Sequence, residues 1–79
     1  MDYDEDKVDH TVLALLCLNL FDETASGARA WKGFDWPTLD RLHAKGYIHD
    51  PKSKAKSIHV TPKGVAESRR LFEELFGAG

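Results

Sequence analysis

The sequence predicts a small α+β domain, and three features of the chain carry that expectation. An apolar run from Val12 to Phe21 is interrupted only by Asn19. A second segment is bracketed by helix punctuation at Asp35-Trp36-Pro37 and Gly46. Short alternating stretches then lead into a clearly amphipathic tail, Pro62–Phe76. Helix-period segments that enclose period-two segments define an α+β order.

The first helix is expected near residues 6–21. Asp4, Glu5, Asp6 and Asp9 crowd its start, where carboxylates complement the helix dipole. At 100° per residue, its apolar side chains spread around the whole circumference, and a helix apolar on every side must be buried on every side. One short domain cannot easily wrap such a helix. A second copy is therefore expected against Leu13, Leu16, Cys17, Leu18, Leu20 and Phe21, making the protein a homodimer.

Residues 22–34 carry turn chemistry in Asp22, Ser26, Gly27 and Gly33, with a short strand expected at Arg29-Ala30-Trp31. In the second helix Asp35 caps, Pro37 suits the first turn, and Gly46 terminates in the left-handed conformation. Trp36, Leu39, Leu42 and His43 share one side, and Thr38, Arg41 and Lys45 form an adjoining polar stripe. Strands at 47–49 and 57–60 would then flank the basic connection 50–56 as a hairpin, with Ile58 and Val60 inward and His59 outward. Thr61 and Pro62 open the last helix. Its Val65, Ser68, Leu71, Phe72, Leu75 and Phe76 form the buried face. Arg69–Glu73 and Arg70–Glu74 are spaced for i,i+4 pairing. Residues 1–5 and 77–79 are expected to fray.

The run Leu39-Asp40-Arg41-Leu42-His43-Ala44-Lys45-Gly46-Tyr47-Ile48, followed by a basic hairpin and Val60-Thr61-Pro62-Lys63-Gly64-Val65-Ala66, resembles the second half of bacterial winged-helix regulators. The likeness covers residues 36–76. It implies a recognition helix, a wing and a closing helix, in the order helix, short strand, helix, hairpin, helix. The support helix of a helix-turn-helix has no counterpart in residues 22–34, so the motif is abridged. The whole chain also resembles a family of short uncharacterised bacterial proteins. The winged likeness implies DNA as a candidate partner, with Thr38, Arg41 and Lys45 at a groove and Lys52, Lys54 and Lys56 on phosphates.

Charge and composition set the outer limits. The 79 residues allow one domain, 1–79, whose core is small: a chain of this length buries only about 60% of its unfolded surface. Residues 1–28 hold one base and seven acids, whereas residues 29–63 hold eight bases and three acids, within a total of −2. Such asymmetry points to a polyanion-facing side on a chain that is not basic overall. No apolar run approaches the roughly 18 residues of a membrane span, and the acidic start lacks the basic-then-apolar order of a secretory signal. With Cys17 the only cysteine, a reducing cytoplasm is the expected setting.

Catalytic and metal chemistry find little support. His10, His43, His49 and His59 include no i,i+4 pair on one helix, and only His49 and His59 can share a side of the hairpin. Zinc takes about four ligands in a structural site, so no metal is expected. Cys17 among leucines is a dulled thiol. Neither a nucleophile elbow nor a phosphate-cradling glycine loop is present, so no enzyme activity, cofactor or small-molecule substrate is expected. Trp31, Phe34 and Trp36 would form a stacking platform or a partner's hot spot if exposed. The expectation is that they plug the core between the first two helices.

Overall fold

A computed structural model describes residues 2–78. Along the chain run α1 (Glu5–Leu16), a 3-10 turn (Cys17–Asn19), β1 (Phe21–Thr24), β2 (Gly27–Trp31), α2 (Trp36–Ala44), β3 (Ser57–Val60) and α3 (Pro62–Phe76).

α1 starts as its acids suggest, with the Asp4 side chain accepting from the Lys7 N–H at 3.1 Å. Asp4 is thus the cap and Glu5 the first residue of α1, within the stretch expected to fray. Gly77 still donates to the Glu73 carbonyl. Met1 and Gly79, which share that expectation, lie outside the described residues. The helix does not continue to residue 21. The Cys17 N–H turns back to the Ala14 and Leu15 carbonyls, and the chain tightens into the 3-10 turn. Leu20 then becomes extended, and Phe21 enters a strand.

That break resolves the all-round apolarity of residues 12–21. Leu13, Ala14 and Leu16 are fully buried within one chain, Val12 and Leu20 pack at the edge of the core, and Leu18 is 69% exposed. The apolar residues are divided between two kinds of backbone, so they do not ring a single helix. The physical ground for a second copy against Leu13 and Leu16 disappears with that division.

β1, β2 and β3 form an antiparallel sheet in that order. Facing partners Ala28–Val60, Arg29–His59, Ala30–Ile58 and Trp31–Ser57 set the register. Alternation sends Ala28, Ala30, Ile58 and Val60 into the core. Gly27 lies at φ +120°, and a Cβ there would sit 2.1 Å from the Val60 carbonyl oxygen, so only glycine fits the β1–β2 corner. Residues 47–49 do not form the expected strand. Ile48 makes a single bridge to Val60, and the His49 N–H donates to the His59 carbonyl at 2.9 Å.

Both later helices obey their punctuation. Asp35 accepts from the Thr38 N–H and hydroxyl at 3.2 and 2.9 Å. At the other end the Gly46 N–H reaches the His43 carbonyl and the Tyr47 N–H reaches that of Leu42. Gly46 sits at φ +82°, and this double closure is a Schellman cap. The Thr61 hydroxyl oxygen accepts from the Gly64 N–H at 3.0 Å. Only Leu39 and Leu42 of the proposed α2 face enter the core, because Trp36 and His43 are exposed. Val65, Ser68 and Leu71 of α3 are buried, while Leu75 and Phe76 are each 47% exposed. Arg69 pairs with Glu23 of β1, not with Glu73, whereas Arg70 meets both Glu67 and Glu74.

Candidate nucleic-acid interface

The structure sorts the six basic and polar candidates into two groups with opposite electrostatic fates. Thr38, Arg41 and Lys45 do come together on α2, but they face the acidic first turns of α1. Arg41 Nε lies 2.8 and 3.0 Å from the two carboxylate oxygens of Asp9, and Lys45 Nζ lies 2.8 Å from Asp9 Oδ2. Glu5 adds a contact of 3.2 Å to Arg41, and Asp6 one of 3.2 Å to Lys45. The Arg41 guanidinium also donates to the Thr38 hydroxyl oxygen, and Thr38 is itself buried.

Two cations therefore meet three carboxylates, and the cluster repels a phosphate more than it attracts one. The hydrogen bond to Asp9 dominates the environment of Lys45 and holds its ammonium above its ordinary pKa of 10.5, against the smaller effect of burial.

Asp9 is the residue that sequence reading missed, having been assigned to helix-start chemistry. Its side chain is fully removed from solvent. A signal was present: Asp9 lies on the stripe of Leu13 and Leu16, at i, i+4 and i+7. An acid on a buried stripe needs a cationic partner.

Lys52, Lys54 and Lys56 present the opposite case. All three are exposed, and among the described residues none forms an ion pair. Their loop has a defined shape. Asp50 accepts from the Lys52 N–H at 2.9 Å, Pro51 is buried, and Lys32 Nζ donates to the carbonyls of Pro51 and Ser53 at 2.9 Å each. The Lys32 N–H to Lys56 carbonyl bond then anchors the loop beside the end of β2.

That end of β2 carries the aromatic residues. Trp31 and Trp36 are 54% and 51% exposed, so they do not plug the core; of the three rings, only Phe34 packs against it. Strand alternation places Trp31 on the outer face, because its neighbour Ala30 points inward. The Trp31 ring stacks on Phe21 with centroids 4.9 Å apart, and Lys32 Nζ lies 5.5 Å from the Trp36 ring centre. Arg29, two residues along the same face, donates to the Ser57 hydroxyl and carbonyl oxygens at 2.8 and 3.1 Å. His49 and His59 do share a side, with ring centres 4.4 Å apart, and His59 Nε2 is 3.0 Å from the Ser26 carbonyl oxygen. His43 Nδ1 contacts the Ile48 carbonyl oxygen at 3.1 Å.

Of the residues assigned to self-association, Leu13 and Leu16 are core, Cys17, Leu20 and Phe21 are half-buried, and Leu18 alone stands out into solvent. No described helix is long and apolar enough to cross a membrane. Two open grooves, of about 300 and 230 Å³, lie on α3 and α1. The first is lined by Lys63, Ala66, Glu67 and Arg70, the second by Lys7, Val8, Thr11 and Val12.

Among the described residues, fold and surface together define a small α+β protein of three α-helices and a three-stranded antiparallel sheet. Residues 4–78 match a family described as a domain of unknown function, DUF6429, and the chain belongs to that family. It is 53% identical over 76 residues to the uncharacterized protein y4hR of Sinorhizobium fredii (strain NBRC 101917 / NGR234), across 96% of this chain and 97% of that protein. No solved structure matches the chain.

Proposed function

We propose that this is a cytoplasmic nucleic-acid-binding module that makes contact through the 50–56 loop and the adjoining end of the sheet. One observation carries the reading: Lys52, Lys54 and Lys56 are exposed without a carboxylate partner, whereas the α2 cations are neutralised by α1. Phosphate contacts by unpaired lysines supply most non-specific affinity. The Ile48–Val60 bridge, with the basic loop between its two arms, supports an abridged winged architecture in which the wing outlasts the groove-reading helix. The reading includes no catalytic step, cofactor or metal.

Fluorescence anisotropy of labelled duplex and single-stranded DNA, titrated with salt, tests it. Three phosphate contacts predict a log–log slope of about −2 to −3. The triple change Lys52→Glu, Lys54→Glu and Lys56→Glu should abolish binding and leave the fold intact. Salt-insensitive binding, or none at micromolar protein, rejects the reading.

A second reading, self-association, is favoured by the exposure of Leu18, Leu75 and Phe76, since the 3-10 turn that carries Leu18 packs against α3. Light scattering on a sizing column tests it, and a monomer at high micromolar concentration rejects it.

A further inference from the structure

The outer face of the sheet has the chemistry of a stacking platform. Phe21, Arg29, Trp31, Ser57 and His59 lie on one side of the sheet by register, and His49 stacks on His59. No carboxylate stands among these six. Of the two acids on β1, Asp22 is exposed beside Phe21 and Glu23 is held by Arg69 on α3. Phe21 covers one face of the Trp31 ring, while more than half of Trp31 remains open to solvent. The stack therefore fixes the orientation of the indole and leaves ring surface available. A side chain already held in place loses little rotamer entropy when a ligand arrives.

We infer that this face takes a single-stranded nucleic acid, with unpaired bases stacking on Trp31 and Phe21 and the backbone running to Lys52, Lys54 and Lys56. The inference rests on the nucleic-acid reading above and names its ligand class. Three observations favour a single strand over a duplex. The contact surface is a sheet face bearing open rings, which meet base faces that a duplex keeps stacked inside. The helix that would enter a groove has its cations tied to Asp9. The unpaired lysines lie in one loop beside Trp31, since Trp31 faces Ser57 and Lys56 precedes it. Every base has a π-face, so such a platform tolerates sequence, and Arg29 adds a positive charge.

The test uses the full chain and three probes: an oligo(dT) and an oligo(rU) of about 12 nucleotides, within the range of small single-strand sites, and a duplex of the same length. At moderate salt the single strands should bind at least about tenfold more tightly than the duplex, and the tighter of the two identifies the sugar preferred. Trp31→Ala should weaken single-strand binding by roughly tenfold to a hundredfold with the salt slope unchanged, while Trp31→Phe retains most of it. In a Trp36→Phe background, single-strand binding should quench the remaining indole fluorescence. Duplex bound as well as single strands, with Trp31→Ala silent, overturns the inference and leaves nucleic-acid binding in place. If no probe binds, both proposals fall. Loss of self-association in Trp31→Ala without any nucleic-acid binding would assign the face to a protein contact and overturn the inference.

Discussion

Arg41 closes on Asp9 with two nitrogens, Nε lying 2.8 and 3.0 Å from the two carboxylate oxygens and Nη2 2.8 Å from Oδ1, and Asp9 is wholly removed from solvent. The pair joins α2 to α1 across 32 positions of sequence, and Lys45, the C-cap of α2, completes it. A buried pair of this kind gains little over well-packed apolar residues, but removing one partner leaves a charge uncompensated, which costs about 3–5 kcal/mol.

Arg41→Leu with Lys45→Met should therefore destabilise the fold by about 3–5 kcal/mol, because Asp9 stays buried without a cation, and that is much of what a domain of this size has. Urea denaturation measures this. Asp9→Ala combined with Arg41→Leu and Lys45→Met should cost clearly less than the separate losses added together, because no buried charge is left unpaired and Glu5 and Asp6 are solvated. Additive losses would show that the cluster is not coupled.

The Glu23–Arg69 contact sets an acid limit. The guanidinium, through its hydrogen bond, holds Glu23 below its ordinary pKa of 4.5. A depressed folded-state value means that the stabilisation is present above the unfolded value and lost as pH falls through the folded one. The melting temperature of the parent should exceed that of Glu23→Gln at neutral pH, and the gap should close in acid. A gap that persists in strong acid, where both states are protonated, would assign the effect to packing. For Lys45, whose folded value is raised, the sign reverses: its contribution is complete below 10.5 and is lost only as pH rises past the folded value.

Gly64→Ala sets helix propensity against collision. Alanine in a helix gains up to about 1 kcal/mol over glycine. A Cβ at Gly64, however, would stand 2.0 Å from the Tyr47 carbonyl oxygen, a backbone atom held by the Thr61 N–H. Overpacking costs about 1–3 kcal/mol, so the net change should be destabilising. Gly33→Ala, with nothing within 4 Å, should be close to neutral. Thermal denaturation of the two variants should separate them clearly.

Leu13→Ala and Leu18→Ala probe the end of α1. The first removes a fully buried side chain and should cost about 2–5 kcal/mol. The second removes one that is 69% exposed and should stay within about 0.5 kcal/mol. Equal losses would mean that the helix continues past Leu16 and that its outer side is covered.

The parts of the fold visible in the sequence are those with local causes. Asp35, Pro37 and Gly46 bound α2, and Thr61 and Pro62 start α3, because caps act over three or four residues and their partners are near in sequence. The likeness carried by Lys45-Gly46-Tyr47-Ile48 and Thr61-Pro62-Lys63-Gly64 has a physical basis here. The Thr61 hydroxyl lies 2.8 Å from the Gly46 carbonyl oxygen, and Gly64 packs on that of Tyr47. The change at Cys17 from helix to turn, and then to β1, has no breaker to announce it. An apolar run suits a buried helix or a buried strand equally.

For the 50–56 loop and the outer face of the sheet the division is similar. Residue order alone determines that Lys52, Lys54 and Lys56 occupy a polar, turn-forming loop, that Ile58 and Val60 point inward, and that positive charge gathers in residues 29–63. Only tertiary structure decides which of those charges remain available and which aromatic rings stay open. Arg41 and Lys45 look like free cations until α1 is laid against them, and Trp31 looks like core until β1 and β3 set the outer face. The reason is that Coulomb and contact energies depend on separation in space, over a few ångströms. The groups that neutralise or bury a side chain are seldom its neighbours along the chain.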